Sequence, residues 1–70
     1  MLKRFGKNVK IARIKKDLTQ EKFAEMLDVN PNYIACIECD RQNMSLGKIL
    51  ELANVLDVDI ESLLKFNDYP

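Results

Sequence analysis

Leu2, Phe5, Val9 and Ala12 recur every three or four residues near the start of the chain, a spacing that places apolar side chains on one face of an α-helix. The lysines between them fall mostly on other faces, so a first helix is predicted from Leu2 to Lys16, ended by the charged Asp17. Thr19 is a good N-cap for a second helix, "TQEKFAEML", because its hydroxyl accepts a first-turn amide. Phe23, Ala24 and Leu27 form its inner face, and Glu21 sits where the helix dipole favours an anion. "DVN" then reads as a three-residue turn. Asn30 caps a third helix and Pro31 takes its first position, where a missing N–H costs nothing. This helix is expected to run to about Cys39, burying Ile34 and Ile37. Ser45 opens a fourth, with Leu46, Ile49, Leu50, Ala53 and Leu56 inward. Asp59 opens a short fifth, with Ile60, Leu63 and Leu64 inward.

No stretch alternates apolar and polar residues as a strand does, and only two glycines and two prolines interrupt the chain. The class is therefore all-α, five helices in one compact bundle. Seventy residues, 47% of them apolar, supply one small core. Residues 1–64 form the expected domain and residues 65–70, "KFNDYP", a short C-terminal tail.

Charge changes the picture more than composition does. The formal net charge is zero, yet residues 1–16 carry seven basic side chains and no acid, while residues 17–70 carry four basic and eleven acidic ones. A basic edge facing a polyanion, with the acidic remainder turned away, is one reading; a solvated helix with its lysines outside is the other. The near-neutral total argues against strong non-specific nucleic-acid binding.

No apolar run approaches membrane-spanning length, and the charged amino terminus is unlike a signal peptide. Two cysteines and no histidine suit a reduced, cytoplasmic protein. Nothing resembles a nucleophile–base pair or a phosphate-cradling glycine loop, so no enzyme activity, cofactor or small-molecule effector is expected. Cys36 and Cys39 are neighbours at helical spacing. Two thiols fall short of a closed zinc site, and no metal is expected. Packing or surface contact, a redox-sensing pair and a metal shared across a dimer stay open as readings.

Two short helices joined by three residues suggest a helix-turn-helix. Small Ala24 lies where the helices would cross, and Phe23, Leu27, Val29, Ile34 and Ile37 supply the apolar positions that lock them together. The stretch "LTQEKFAEMLDVNPNYIACIECDR" resembles the Cro/C1-type (XRE) helix-turn-helix family, the lambda-repressor-like domains. The likeness extends from Phe5 to about Leu64 and includes "LGKILELANVLDVDIESLL", which looks like the family's fourth and fifth helices.

That resemblance implies a small DNA-binding regulator of transcription, Cro-like and repressing by occupying an operator as a homodimer. Asn30, Pro31, Asn32, Ala35 and Cys36 would face the bases of double-stranded DNA from the recognition helix. Asn32 is the best reader, since an amide bonds adenine N6 and N7 in a bidentate pair. Arg13, Thr19, Gln20, Tyr33, Arg41, Gln42 and Asn43 would hold phosphates. Arg13 would also pair with Glu38, tying the first helix to the third. Leu64, Phe66 and Tyr69 are the candidate dimer surface.

The chain departs from the family at four positions that are usually glycine, which here are Asp17, Asp28, Asp40 and Asp57. Aspartate tolerates the left-handed backbone that favours glycine at helix ends, but it puts negative charge beside the third helix at Asp28 and Asp40. These acids and the largely apolar Pro31–Ala35–Cys36 face motivate an alternative, a protein-interaction module of the same fold with weak or no DNA binding.

Overall fold

Thr19, Asn30 and Ser45 each take up extended backbone and turn a side-chain oxygen onto a first-turn amide. Thr19 Oγ1 accepts from the Lys22 N–H at 3.0 Å, Asn30 Oδ1 from Asn32 at 2.8 Å and Ser45 Oγ from Lys48 at 3.3 Å. Each bond satisfies a donor that the helix itself leaves unpaired. The computed structural model describes residues 5–64. They form α1 (Phe5–Lys15), α2 (Gln20–Leu27), α3 (Pro31–Glu38), α4 (Leu46–Leu56) and α5 (Ile60–Leu63). The fold is all-α, with no strand among the described residues. Leu2 and the tail, with Phe66 and Tyr69, lie outside the described residues.

The core sits between the inner face of α3, which packs on α1 and α2, and α4, which packs on α2, with α5 closing one end against α1 and α4. Phe5 and Val9 from α1, Phe23 and Ala24 from α2, and Ile34 and Ile37 from α3 are buried together with Leu52, Leu56 and Leu63. Several bounds and faces differ from expectation, beginning with α1, which ends at Lys15 and not Lys16. Helix α3 stops at Glu38, with Cys39 as its C-cap. Asp59 occupies the N-cap position of α5 by its backbone, but its side chain makes no capping bond.

The largest difference is the register of α4. Leu46 and Leu50, expected inward, are 63% and 51% exposed, and Leu52 is fully buried in their place. "LGKILELANVL" carries apolar residues around much of its circumference, so periodicity alone offers two adjacent stripes. Packing against α2 and α5 selects Ile49, Leu52, Ala53 and Leu56. Leu64, also expected inward, caps α5 and is 36% exposed, because the helix ends one residue before it.

Asp17, Asp28, Asp40 and Asp57 all have positive φ, between 58° and 60°. At Asp28 and Asp57 the left-handed turn lets the cap N–H reach back to helix carbonyls, as a helix-ending glycine would. Replacing Asp17, Asp28 or Asp57 by glycine is expected to stabilise the fold by about 0.5–1 kcal/mol each, since glycine has no Cβ to strain there. Asp40→Gly should show no such gain, because its carboxylate is engaged as described below. Thermal denaturation of the four single variants checks this, and an equal rise at all four would contradict it.

Candidate nucleic-acid interface

Helix α3 is set by its attachment to α1. Gly6 lies in the first turn of α1, and a Cβ built there would stand 2.6 Å from the Glu38 carbonyl oxygen and closer still to that of Ile37. Only glycine lets the backbones of α1 and the end of α3 approach so nearly. The same junction carries a hydrogen bond, the Gly6 N–H donating to Asp40 Oδ1 at 2.9 Å. The left-handed turn after α3 thus swings the Asp40 carboxylate onto the positive end of α1. Its charge faces that amide, which answers half of the concern about acids beside α3; Asp28 is exposed.

Arg13 forms the second attachment. Its Nε donates to Glu38 Oε2 at 2.7 Å and its Nη2 to Glu38 Oε1 at 3.3 Å, while Nη1 donates to the Leu18 carbonyl at 2.6 Å. Gln20 Nε2 donates to Glu38 Oε1 at 3.0 Å. One carboxylate on α3 therefore gathers α1 and the first residue of α2, while the same guanidinium holds the α1–α2 turn at Leu18. The Arg13 and Glu38 side chains retain only 10% and 4% of their exposure. Little of the guanidinium is left at the surface, so its main work is to fix α3 in place. Gln20 stays half-buried, and its backbone N–H, first in α2, has no intrahelical acceptor.

With Ile34 and Ile37 buried beneath, the opposite side of α3 faces out. Asn32, Ala35, Cys36, Cys39 and Arg41 line a shallow groove of about 290 Å³ on it. Asn30, Pro31 and Asn32 are exposed, whereas Tyr33, Ala35 and Cys36 are half-buried. The Asn30 oxygen is committed to its cap and that of Thr19 likewise. Tyr33 leans against the core. Arg41 and Asn43 are exposed in the loop after α3, and Gln42 donates to the Asn43 carbonyl at 3.2 Å. Both cysteines are free thiols. No group of acids, cysteines or histidines suited to a metal occurs among the described residues, and no helix there is long and apolar enough to cross a membrane.

Sequence reasoning passed over Gly6 and the inward role of Asp40. An isolated glycine within a helical pattern was the available signal for the first. The second had none, because its partner lies 34 positions away.

A three-residue turn between α2 and α3, an outward α3 and a buried clasp beneath it define a helix-turn-helix domain. A family model described as helix-turn-helix matches residues 9–63. The control protein C.BamHI of Bacillus amyloliquefaciens is 36% identical over 63 residues, covering 89% of this chain and 78% of that protein. The immunity repressor of Bacillus phage phi105 is 32% identical over 59 residues, or 84% of this chain, which spans only 41% of the repressor. The crystal structure of SinR, a master regulator for biofilm formation in complex with DNA, aligns with a TM-score of 0.79 at 31% identity, over 87% of this chain and 98% of that one. The chain belongs to the XRE-type helix-turn-helix family.

Proposed function

We propose that this protein is a sequence-specific transcriptional regulator that lays α3 in the major groove of double-stranded DNA as a homodimer and represses by occupying its operator. The observation that carries the reading is the two-sided character of α3. Its inner face is locked by Gly6, Arg13 and Glu38, and its exposed first turn presents Asn32. A helix held this way offers its amino-terminal residues to base edges. The DNA-bound SinR relative and the control and repressor proteins support the same reading.

Within it, Asn32 reads adenine, while Pro31, Ala35 and Cys36 make apolar contact, for instance with a thymine methyl. Asn30 adds to this edge through the part of its amide not used in capping. The Gln20 backbone N–H and side chain, with Thr19, Tyr33, Arg41, Gln42 and Asn43, hold phosphates, and Arg13 contributes mainly by positioning Glu38 and Gln20. Two copies, paired at the α5 end through Leu64 and the tail aromatics, would set their α3 helices about 34 Å apart, one turn of DNA. The reading is of a binding protein, not an enzyme.

Selection of bound sequences from a random DNA pool, followed by polarisation titration, tests this. Binding should weaken steeply with salt. Asn32→Ala should cost about 1–3 kcal/mol and relax the preference at one base pair. If no sequence is enriched, or Asn32→Ala and Gln20→Ala both bind as the parent does, the interface has been placed wrongly.

A further inference from the structure

Cys36 and Cys39 are free thiols, the first half-buried and the second exposed. A cysteine used for its size is among the most buried of residues, whereas Cys39 ends α3 outside the core. The two stand at i and i+3 around the groove of about 290 Å³ on the outer side of α3, with Asn32, Ala35 and Arg41. Among the described residues that line it, only Arg41 is charged. The carboxylates next to Cys39 in sequence are engaged elsewhere, Glu38 with Arg13 and Gln20, Asp40 with the Gly6 amide.

We propose that this pair is a modification site, at which a peroxide closes Cys36 and Cys39 into a reversible disulfide and so reshapes the end of α3. Cβ atoms three residues apart on a helix lie about 5–6 Å from each other, and a disulfide holds them at about 3.5–4.5 Å. The backbone must therefore move, and it can do so here because Cys39 is the C-cap, at φ −97° and ψ 8°, with a loop beyond it. In the first step the Cys39 sulfur attacks a peroxide oxygen and the O–O bond breaks, giving a sulfenic acid and water. The Cys36 sulfur then displaces the hydroxyl, which leaves as a second water with the Cys36 proton. The sulfur pair loses two electrons and the peroxide gains them; a dithiol reverses the bond by exchange.

Backbone bonds tie the following turn to this pair. The Cys36 carbonyl accepts from the Arg41 N–H at 2.9 Å, and the Cys39 N–H donates to the Ala35 carbonyl at 3.1 Å. Between Cys39 and Arg41 stands Asp40, whose carboxylate holds the Gly6 amide of α1. Drawing Cys39 toward Cys36 displaces Arg41 and loosens Asp40 from Gly6. The effect on DNA, and it alone, rests on the reading above: base-facing Cys36 and phosphate-facing Arg41 are disturbed together, so oxidation weakens binding.

The test treats the reduced full chain with hydrogen peroxide, alkylates the remaining thiols and weighs the product by mass spectrometry. Amide exchange at Gly6 is followed by NMR, and affinity for the selected DNA is titrated before and after dithiothreitol. The product should be a single chain lighter by two hydrogens, with neither thiol alkylated and a faster-exchanging Gly6 amide. Its DNA affinity should fall at least about tenfold, the scale of one lost base contact, and dithiothreitol should restore every signal. Sulfoxide at the exposed Met26 is not reversed by that thiol, since it needs a dedicated reductase. Cys39→Ser should bind as the reduced parent does and keep its affinity under peroxide. Thiols that stay free, go on to sulfinic acid or link separate chains would overturn the site. An unchanged Gly6 amide would overturn its coupling to the turn, and equal loss of affinity in oxidised Cys39→Ser would overturn the role of the pair in binding. A reduced protein that binds no DNA would instead strike the reading above, while the disulfide and the Gly6 amide still decide this one.

Discussion

Arg13→Met is expected to lower stability by about 3–5 kcal/mol, because it leaves the Glu38 carboxylate buried without its cation. The Glu38 side chain is only 4% exposed, and of the three hydrogen bonds its carboxylate accepts only the one from Gln20 would remain. A domain of this size has roughly 5 kcal/mol or little more to lose, so the variant should be substantially unfolded at room temperature. Glu38→Leu alone should be comparably harmful, since the guanidinium then keeps only the Leu18 carbonyl. Combining Arg13→Met with Glu38→Leu is expected to recover most of the loss, because an apolar pair of similar volume carries no desolvation cost. Urea denaturation of the two single variants and the double variant gives the cycle. A double variant no better than the worse single one would mean that the pair stabilises the fold outright and does not merely fix the orientation of α3. DNA titration of the double variant separates the two roles. If the clasp positions α3, the double variant should be folded yet bind more weakly.

Gly6→Ala should cost about 3 kcal/mol, against the sign of helix propensity. Alanine is the better helix former by about 1 kcal/mol, and in an open helix the substitution would help. Here the new methyl meets two backbone carbonyls of α3 within 3.0 Å. Backbone atoms at a helix end cannot rotate aside as a side chain would, so α1 and α3 must part and the core beneath loses contact. The same movement stretches the Gly6–Asp40 bond of 2.9 Å. Thermal denaturation should show the fall, while Gly47→Ala serves as the control, because its nearest neighbour would be the Ser45 hydroxyl at 3.9 Å. If both glycine variants behave alike, the close approach of α1 to α3 does not limit stability.

Most of the helices were legible because local chemistry decides them. Thr19, Asn30 and Ser45 cap where their hydroxyls and amide predicted, and Phe23, Ala24, Leu27, Ile34 and Ile37 point inward as their spacing requires. The α4 register was not legible, since Leu46 and Leu50 fit the helical period as well as Leu52 does, and only the neighbouring helices choose between them. At the interface, the outward α3 followed from the burial of Ile34 and Ile37, but the depth of Arg13 did not. The Arg13–Glu38 pair came from the family resemblance, while spacing alone reads a basic residue near a helix end the same way whether it meets solvent or a carboxylate 25 positions on.

The sequence alone determined the number of helices, the caps of α2, α3 and α4 and the left-handed turns, because each depends on residues within about four positions of one another. The tertiary structure alone decided that Gly6 must stay small, that Asp40 serves α1, and that Leu18 and Gln20 join the Arg13–Glu38 pair, which the family resemblance had implied. Those outcomes depend on groups distant along the chain, and the free energy that brings them together comes from burying the shared core, to which no short stretch of sequence holds the key.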